Sequence, residues 1–211
     1  MNDFDTFLAA LPKIINAVLP GEQAHLKMSP PERHELIKNL DFSTVNARKA
    51  AVMMLIYPNS GTTLALIRRN SYKGVHSSQV AFPGGKIEAN ESALAAALRE
   101  THEEIGVTKD VINVIRPFSE VYIPPSNFLV KPFLGVASSR PDFHPDPREV
   151  VEIIELRIED LLNDSNIRMH VMDTSYSRSI EVPSLVVNEN VIWGATAMML
   201  SELKEVLKAV M

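Results

Sequence analysis

Three carboxylates crowd one short stretch of this chain: Glu100, Glu103 and Glu104, in the run Arg99-Glu100-Thr101-His102-Glu103-Glu104-Ile105-Gly106. The residues just before them are rich in alanine and leucine, so the spacing predicts a helix. At about 100° per residue, Glu104 falls roughly 40° from Glu100 and Glu103 roughly 60° to its other side, so the three are expected to converge on one point. Like charges so placed repel each other, and a hard cation such as Mg²⁺ or Mn²⁺ relieves that repulsion by taking the carboxylate oxygens as ligands.

Such a site needs elements that hold it. Leu94, Leu98, Thr101 and Ile105 fall at i, i+4, i+7 and i+11 and are expected to form the buried face, opposite the carboxylates. Upstream, Val80-Ala81-Phe82-Pro83-Gly84-Gly85 carries the chain into the helix, and backbone amides at a glycine pair approach a phosphate closely. Arg99 borders the acidic face, where it is placed to clamp a carboxylate and fix its rotamer. Glu91, expected in the first helical turn, is favoured there by the helix dipole and reads as structural.

Gly85, Glu91, Arg99-Glu100, Glu103-Glu104, Gly106 and Val107 together, at their fixed spacing, resemble the signature of the Nudix hydrolases. Thr101 stands where that signature usually has an aliphatic residue; on the core stripe it predicts only a small packing effect. The resemblance implies metal-dependent cleavage of a phosphoanhydride in a nucleoside diphosphate derivative, with Mg²⁺ or Mn²⁺ as cofactor. It implies Gly85, Glu100, Glu103 and Glu104 at the metal, with Glu104 and Arg99 also in catalytic roles. A general base in this family often comes from outside the motif, and Glu149, Glu152 and Glu120 are the candidates here. Glu149, directly after a proline-rich loop, is preferred, because Glu152 lies three along a strand and points to the other face.

A second resemblance, to the coenzyme A pyrophosphatase branch of that family, rests on Leu64-Ala65-Leu66-Ile67-Arg68-Arg69, His76 and Gln79 to Gly85, and on the stretches 145–150 and 192–197. Gly74 and Ser78 depart from it, standing where arginine and glycine are usual. It implies hydrolysis of coenzyme A or its thioesters to 3′,5′-ADP and a 4′-phosphopantetheine fragment, with Arg68, Arg69, His76 and Gly84 binding substrate. Lys73, Arg140 and Arg148 are further cations for a 3′-phosphate, and Tyr72 and Phe143 offer rings to adenine. Two other readings stand beside this one: a Nudix enzyme on ADP-ribose or a nucleoside triphosphate, and a non-catalytic ligand-binding protein on the same fold.

The remaining pattern supplies the scaffold. Strands are expected over 49–57, 63–68, 111–122, 128–137, 149–156, 167–172 and 179–187, with a last helix over 195–210. This predicts an α/β protein, an α/β/α sandwich around a mixed β-sheet, which the resemblance implies as well. Two helices, over 3–19 with Pro12 inside and over 32–40, form a short N-terminal helical extension at 1–45, ahead of the catalytic domain at 46–211. The extension packs on that body or covers a second subunit of a homodimer. With 211 residues, 45% of them hydrophobic, the chain can bury one good core. A net charge of −5 argues against a nucleic-acid partner and leaves a small nucleotide-derived substrate. With no cysteine, disulfides, thiolate zinc sites and cysteine nucleophiles are excluded, and a reducing cytoplasm suits the chain. The N-terminus is acidic and the longest apolar run, near 50–57, is too short to span a bilayer, so no membrane association is expected.

Overall fold

The computed structural model describes residues 3–38, 40, 45–70, 79–172 and 179–211. His76 lies outside them, as do Tyr72, Lys73, Gly74 and Ser78. Helices α1 (Asp3–Asn16), α2 (Glu22–Leu26) and α3 (Pro31–Lys38) precede a hairpin of β1 (Arg48–Pro58) and β2 (Thr62–Arg69). Short strands β3 (Val80–Ala81) and β4 (Gly84–Lys86) lead into α4 (Ala93–Ile105). Then follow β5 (Asn113–Pro117), β6 (Val121–Ile123), β7 (Phe128–Val136), β8 (Val150–Arg157), α5 (Ile158–Leu162), β9 (Ile167–Met172), β10 (Ile180–Val187), β11 (Asn190–Ile192) and α6 (Gly194–Val210).

The centre is β1, whose apolar run is buried on both sides. Ala50, Val52, Met54 and Ile56 join one core cluster, and Ala51, Met53, Leu55 and Tyr57 the other. A strand that is apolar at every position needs both faces covered. Helix α4 covers one, with Ala96, Ala97 and Ile105 in its cluster. Helices α6 and α1 cover the other, through Leu200, Leu203 and Leu207 and through Phe4, Phe7 and Ile14. Each such side chain contributes about 1.5–3 kcal/mol on burial. The main sheet runs β3-β2-β1-β7-β5, with β4 paired to β1, β6 to β7 and β8 to β2. Strands β1 and β7 are parallel and the other pairs antiparallel, so the sheet is mixed and the sandwich is the one expected. Strands β9, β10 and β11 form a separate three-stranded sheet.

The expected strand over 111–122 is broken into a 3₁₀ turn at Lys109–Val111, then β5 and β6. The pairing of β5 with β7 shifts register between Val114 and Arg116 and stops at Pro117, and β6 resumes pairing with β7 at Val121. Helix α1 keeps Pro12 inside it and stops at Asn16, where Arg116 Nη1 donates to the carbonyls of Ile14, Ile15 and Ala17. The extension is tied to the body by Glu202 of α6, fully buried, which accepts N–H bonds from Gly21 (2.9 Å) and Ser119 (3.0 Å). Among the described residues no helix is long and apolar enough to cross a membrane.

Candidate active site on the α4 helix

Ser92 opens α4 by accepting the Ala95 N–H on its hydroxyl at 3.1 Å, and Gly106 closes it in the left-handed region at φ 75°. A Cβ on Gly106 would stand 2.7 Å from His144 Cβ, because the loop after β7 crosses the helix end there. That loop donates its His144 and Asp146 N–H groups to the carbonyls of Ile105 and Glu104, at 2.9 and 3.0 Å. The helix end and the segment leading to Glu149 are thereby tied together.

The buried face of α4 differs from the expected stripe. Ala96, Ala97, Thr101, Glu104 and Ile105 are buried, whereas Leu94 and Leu98 are only partly so. Two alanines let the helix approach β1 closely, and this turns Glu104 inward, 1% exposed, rather than opposite the core. Thr101, fully buried, gives its hydroxyl to the Ala97 carbonyl at 2.6 Å, so its polarity is satisfied locally. Glu91 lies just before the helix instead of in its first turn.

The glycine pair is placed by β1, since Val52 faces Gly84 and Ala51 faces Gly85. Gly84, at φ 152°, presents its N–H to Glu104 Oε2 at 2.8 Å. At Gly85 a Cβ would come within 2.5 Å of the Glu100 carboxyl, so the bare backbone is what admits that side chain.

Two arginines hold the acidic groups. Arg99 grips Glu91 with two hydrogen bonds, at 2.9 and 3.1 Å. Its Nη1 also donates to Glu100 Oε1 and Glu103 Oε2, both at 2.9 Å. Those bonds hold the Glu91 carboxyl below its usual range, and Glu91 in turn raises the Arg99 pKa. Arg69 donates to Glu104 Oε1 at 2.8 Å, and its other terminal nitrogen lies 3.8 Å from Glu149 Oε2. Burial pushes Glu104 up to about 7 despite the opposing Arg69 charge, with Glu100 and Glu149 adding repulsion. Burial raises Glu100 too, against the pull of Arg99.

As these side chains stand, the expected convergence on one point is not met: no three acidic or histidine side chains among the described residues are gathered to hold an ion. Arg99 holds Glu100 and Glu103 through one nitrogen, while Arg69 and the Gly84 N–H hold Glu104 inward, away from that pair. The donor chemistry nonetheless fits a hard divalent ion, because Glu100, Glu104 and Glu149 already feel one another's charge and Glu103, half exposed, is held beside Glu100 by the same Arg99 nitrogen.

Of the candidate bases, Glu149 faces this group, whereas Glu152 bonds Arg68 at 2.7 Å and Glu120 sits 3.7 Å from Lys131. Arg68 also reaches Asn190 and so turns away from the glutamates. Arg148 is bound to Asp146 in solvent. Arg140, a candidate cation for a 3′-phosphate, pairs with Glu155 beside Tyr57, six residues along β1 from Ala51, and so lies away from the glycine pair.

A cavity of about 370 Å³ opens on the other side of β4. Gly84, Gly85 and Arg69 line one end, and Val52, Val130, Phe128 and Trp193 add apolar surface. Sequence reasoning missed Arg33 and Lys86 here, and marked Trp193 only as part of the 192–197 stretch. Nothing in their spacing announces a shared cavity, which only the folding of α3 and α6 over the sheet creates.

An arginine-braced cluster of glutamates on a helix, fed by a glycine pair and flanked by a nucleoside-sized cavity on a mixed sheet, defines a hydrolase-type site for phosphorylated small molecules. Comparison with known proteins agrees. The NUDIX domain family model matches residues 47–173. The uncharacterized Nudix hydrolase NudL of Enterobacter sp. (strain 638) is 30% identical over 178 residues, covering 81% of this chain and 89% of that protein. The protein of the same description from Photorhabdus laumondii is 31% identical over 162 residues, covering 76% and 85%. Among solved structures, the Nudix hydrolase RenU from M. smegmatis superposes with a TM-score of 0.55 at 18% identity, covering 78% of this chain and 88% of that one. The chain belongs to the Nudix family, whose hydrolases act on nucleoside diphosphate derivatives and generally use divalent metal ions.

Proposed function

We propose that this protein hydrolyses the diphosphate of coenzyme A or its thioesters, releasing 3′,5′-ADP and a 4′-phosphopantetheine fragment. The observation that carries the reading is the juxtaposition across β4: glutamates and arginines on one side, a part-apolar cavity of nucleotide size on the other. The segments 64–69 and 79–85, similar to the coenzyme A branch, form both the Arg69 contact and the glycine pair.

Glu100, Glu103 and Glu104, with the Gly85 carbonyl, would hold the divalent cation, Mg²⁺ or Mn²⁺. Once bound, that ion supplies neutralising charge at the diphosphate and lowers the pKa of a water. The chain's own groups do the rest. Arg99 fixes the rotamers of Glu100 and Glu103. Arg69 and the Gly84 N–H engage both oxygens of Glu104, which makes Arg69 a positioning residue before it is a substrate contact. Glu149, half exposed and beside Arg69, takes the proton of the attacking water.

Glu149→Gln is expected to lower kcat by two orders of magnitude or more with little change in KM. Glu152→Gln and Glu120→Gln should stay within a few-fold of the parent. A crippled Glu120→Gln enzyme would transfer the base role across the sheet. The substrate is tested with purified protein, Mg²⁺ or Mn²⁺, and a panel of coenzyme A, acetyl-coenzyme A, ADP-ribose and nucleoside triphosphates, products being resolved by chromatography. Coenzyme A and its thioester are expected to be cleaved best. Preference for ADP-ribose or a triphosphate selects the other enzymatic reading, and no turnover of any compound selects a ligand-binding protein.

A further inference from the structure

Two neighbouring arginines on β2 leave the sheet in opposite directions. Leu64 and Leu66 of that strand belong to the core under α6, and Ala65 and Ile67 to the core under α4. Successive strand residues face opposite sides, so Arg68 continues the first series and Arg69 the second. Arg69 accordingly holds Glu104 at the acidic site, 2.8 Å away. Arg68 instead bridges two sheets. Its Nε donates to Glu152 Oε1 on β8 at 2.7 Å, and its Nη2 to Asn190 Oδ1 on β11 at 2.6 Å. Glu152 lies directly opposite it in the main sheet, beside the register shift between Arg68 and Arg69. Asn190 opens the last strand of the three-stranded sheet.

That strand runs straight into the cavity wall. Ile192, its last residue, is fully buried, and Trp193, Gly194, Ala195 and Thr196 then line the cavity beside β4. The far end of this wall is tied as well, because buried Thr196 donates its hydroxyl to the Val80 carbonyl of β3 at 3.0 Å. Half-buried Trp193 stands midway, three residues from either tie. Burial of Ile192 draws β11 inward without fixing a direction, whereas the two hydrogen bonds set where it lies against the main sheet. The Arg68 bond to Asn190 is part-buried and has an ionised donor, so it is stronger than a neutral one. The Glu152 arm, half exposed, contributes less and serves to aim the guanidinium.

We infer that Arg68 is a positioning residue: by fastening Asn190 to the main sheet it sets the wall from Trp193 to Thr196, and with it the fit of substrate in the cavity, without touching the substrate itself. The consequence for substrate rests on the reading that this cavity takes one arm of the diphosphate.

Trp193 is the only tryptophan of the chain, so its fluorescence reports on this wall alone. Arg68→Met removes both donors and keeps the aliphatic stem. In the ligand-free protein, Arg68→Met and Asn190→Ala are each expected to shift the Trp193 emission. Asn190→Asp, which keeps an acceptor oxygen for Arg68, should leave it as in the parent. Kinetics with Mg²⁺, on whichever compound of the panel above the parent cleaves best, should follow the same order. Arg68→Met and Asn190→Ala are expected to raise KM about three- to tenfold with kcat within about twofold. Asn190→Asp should keep the parental KM, and the double variant, Arg68→Met with Asn190→Ala, should be no worse than either single one. If Arg68→Met does not fold, the two Asn190 variants decide the matter. An unmoved KM, a loss confined to kcat, or additive losses in the double variant overturns the inference. A raised KM with an unshifted ligand-free emission makes Arg68 a direct substrate contact and also overturns it. A parent in which neither product of that compound changes the Trp193 emission at saturation defeats the cavity reading instead, while the ligand-free spectra still decide whether Arg68 holds the wall.

Discussion

Glu104→Gln is expected to lower turnover with Mg²⁺ or Mn²⁺ at least a hundredfold, while making the metal-free protein more stable than the parent above about pH 7. The first effect follows from the loss of a charged oxygen ligand held in place by Arg69 and the Gly84 N–H. The second follows from burial, which raises the folded-state pKa of Glu104 to about 7 from an ordinary 4.5. The folded protein thus holds that proton more tightly than the unfolded chain. The resulting stability is complete below about pH 4.5 and lost as pH rises through 7. Glutamine mimics the protonated form at every pH. In chelator, the parent should therefore lose about 3 kcal/mol relative to the variant between pH 4.5 and 8. Denaturant unfolding at several pH values measures this. Glu103→Gln, half exposed on the same helix, should match the loss of turnover. Activity within a few-fold of the parent in both variants would rule out the metal assignment.

Gly84→Ala should destabilise the protein by about 3 kcal/mol or more, enough to threaten folding at ordinary temperature. A Cβ there would overlap the Ala51 carbonyl oxygen and lie 2.7 Å from Val52 Cγ1, at a φ of 152° that side chains rarely adopt. Those obstacles are the backbone and packed core of the central strand, which cannot move aside. Gly85→Ala is the informative contrast, because the nearest atoms to its Cβ belong to the Glu100 carboxyl, a side chain that can shift at the cost of its Arg99 bond. It should fold and lose activity. Urea unfolding of both variants, read with turnover, separates the two roles; a cost under 1 kcal/mol for Gly84→Ala would contradict the packing described here.

The sequence carried the central strand and the α4 helix plainly, since an unbroken apolar run and a serine-capped, alanine-rich stretch leave few alternatives. The glutamate motif was legible for the same reason, being local in sequence. What escaped was everything set by distance of approach. The alanines of α4, weak in a hydrophobic count, pack deeper than Leu94 and Leu98 because small residues let a helix lie against a sheet, and Glu104 goes inward with them. Arg69 read as a substrate cation, and its partner Glu104 lies 35 residues away, a pairing that only the β2 and α4 positions create. Helix α2 is five residues long and follows Gly21, too short to show periodicity. Arg33 sits in a helix whose sequence gives no sign of a neighbouring cavity.

The family match begins at residue 47, yet the folding unit begins earlier. Phe4, Phe7 and Ile14 share one core cluster with α6, and Glu202 draws one of its N–H bonds from Gly21. A polypeptide started at residue 47 would bare a greasy helix flank to water and strand a desolvated carboxylate without its Gly21 and His25 partners. Shortening the gene to its recognisable portion would therefore yield a sticky, half-finished body. The segment ahead of the family match thus completes the core of the matched part.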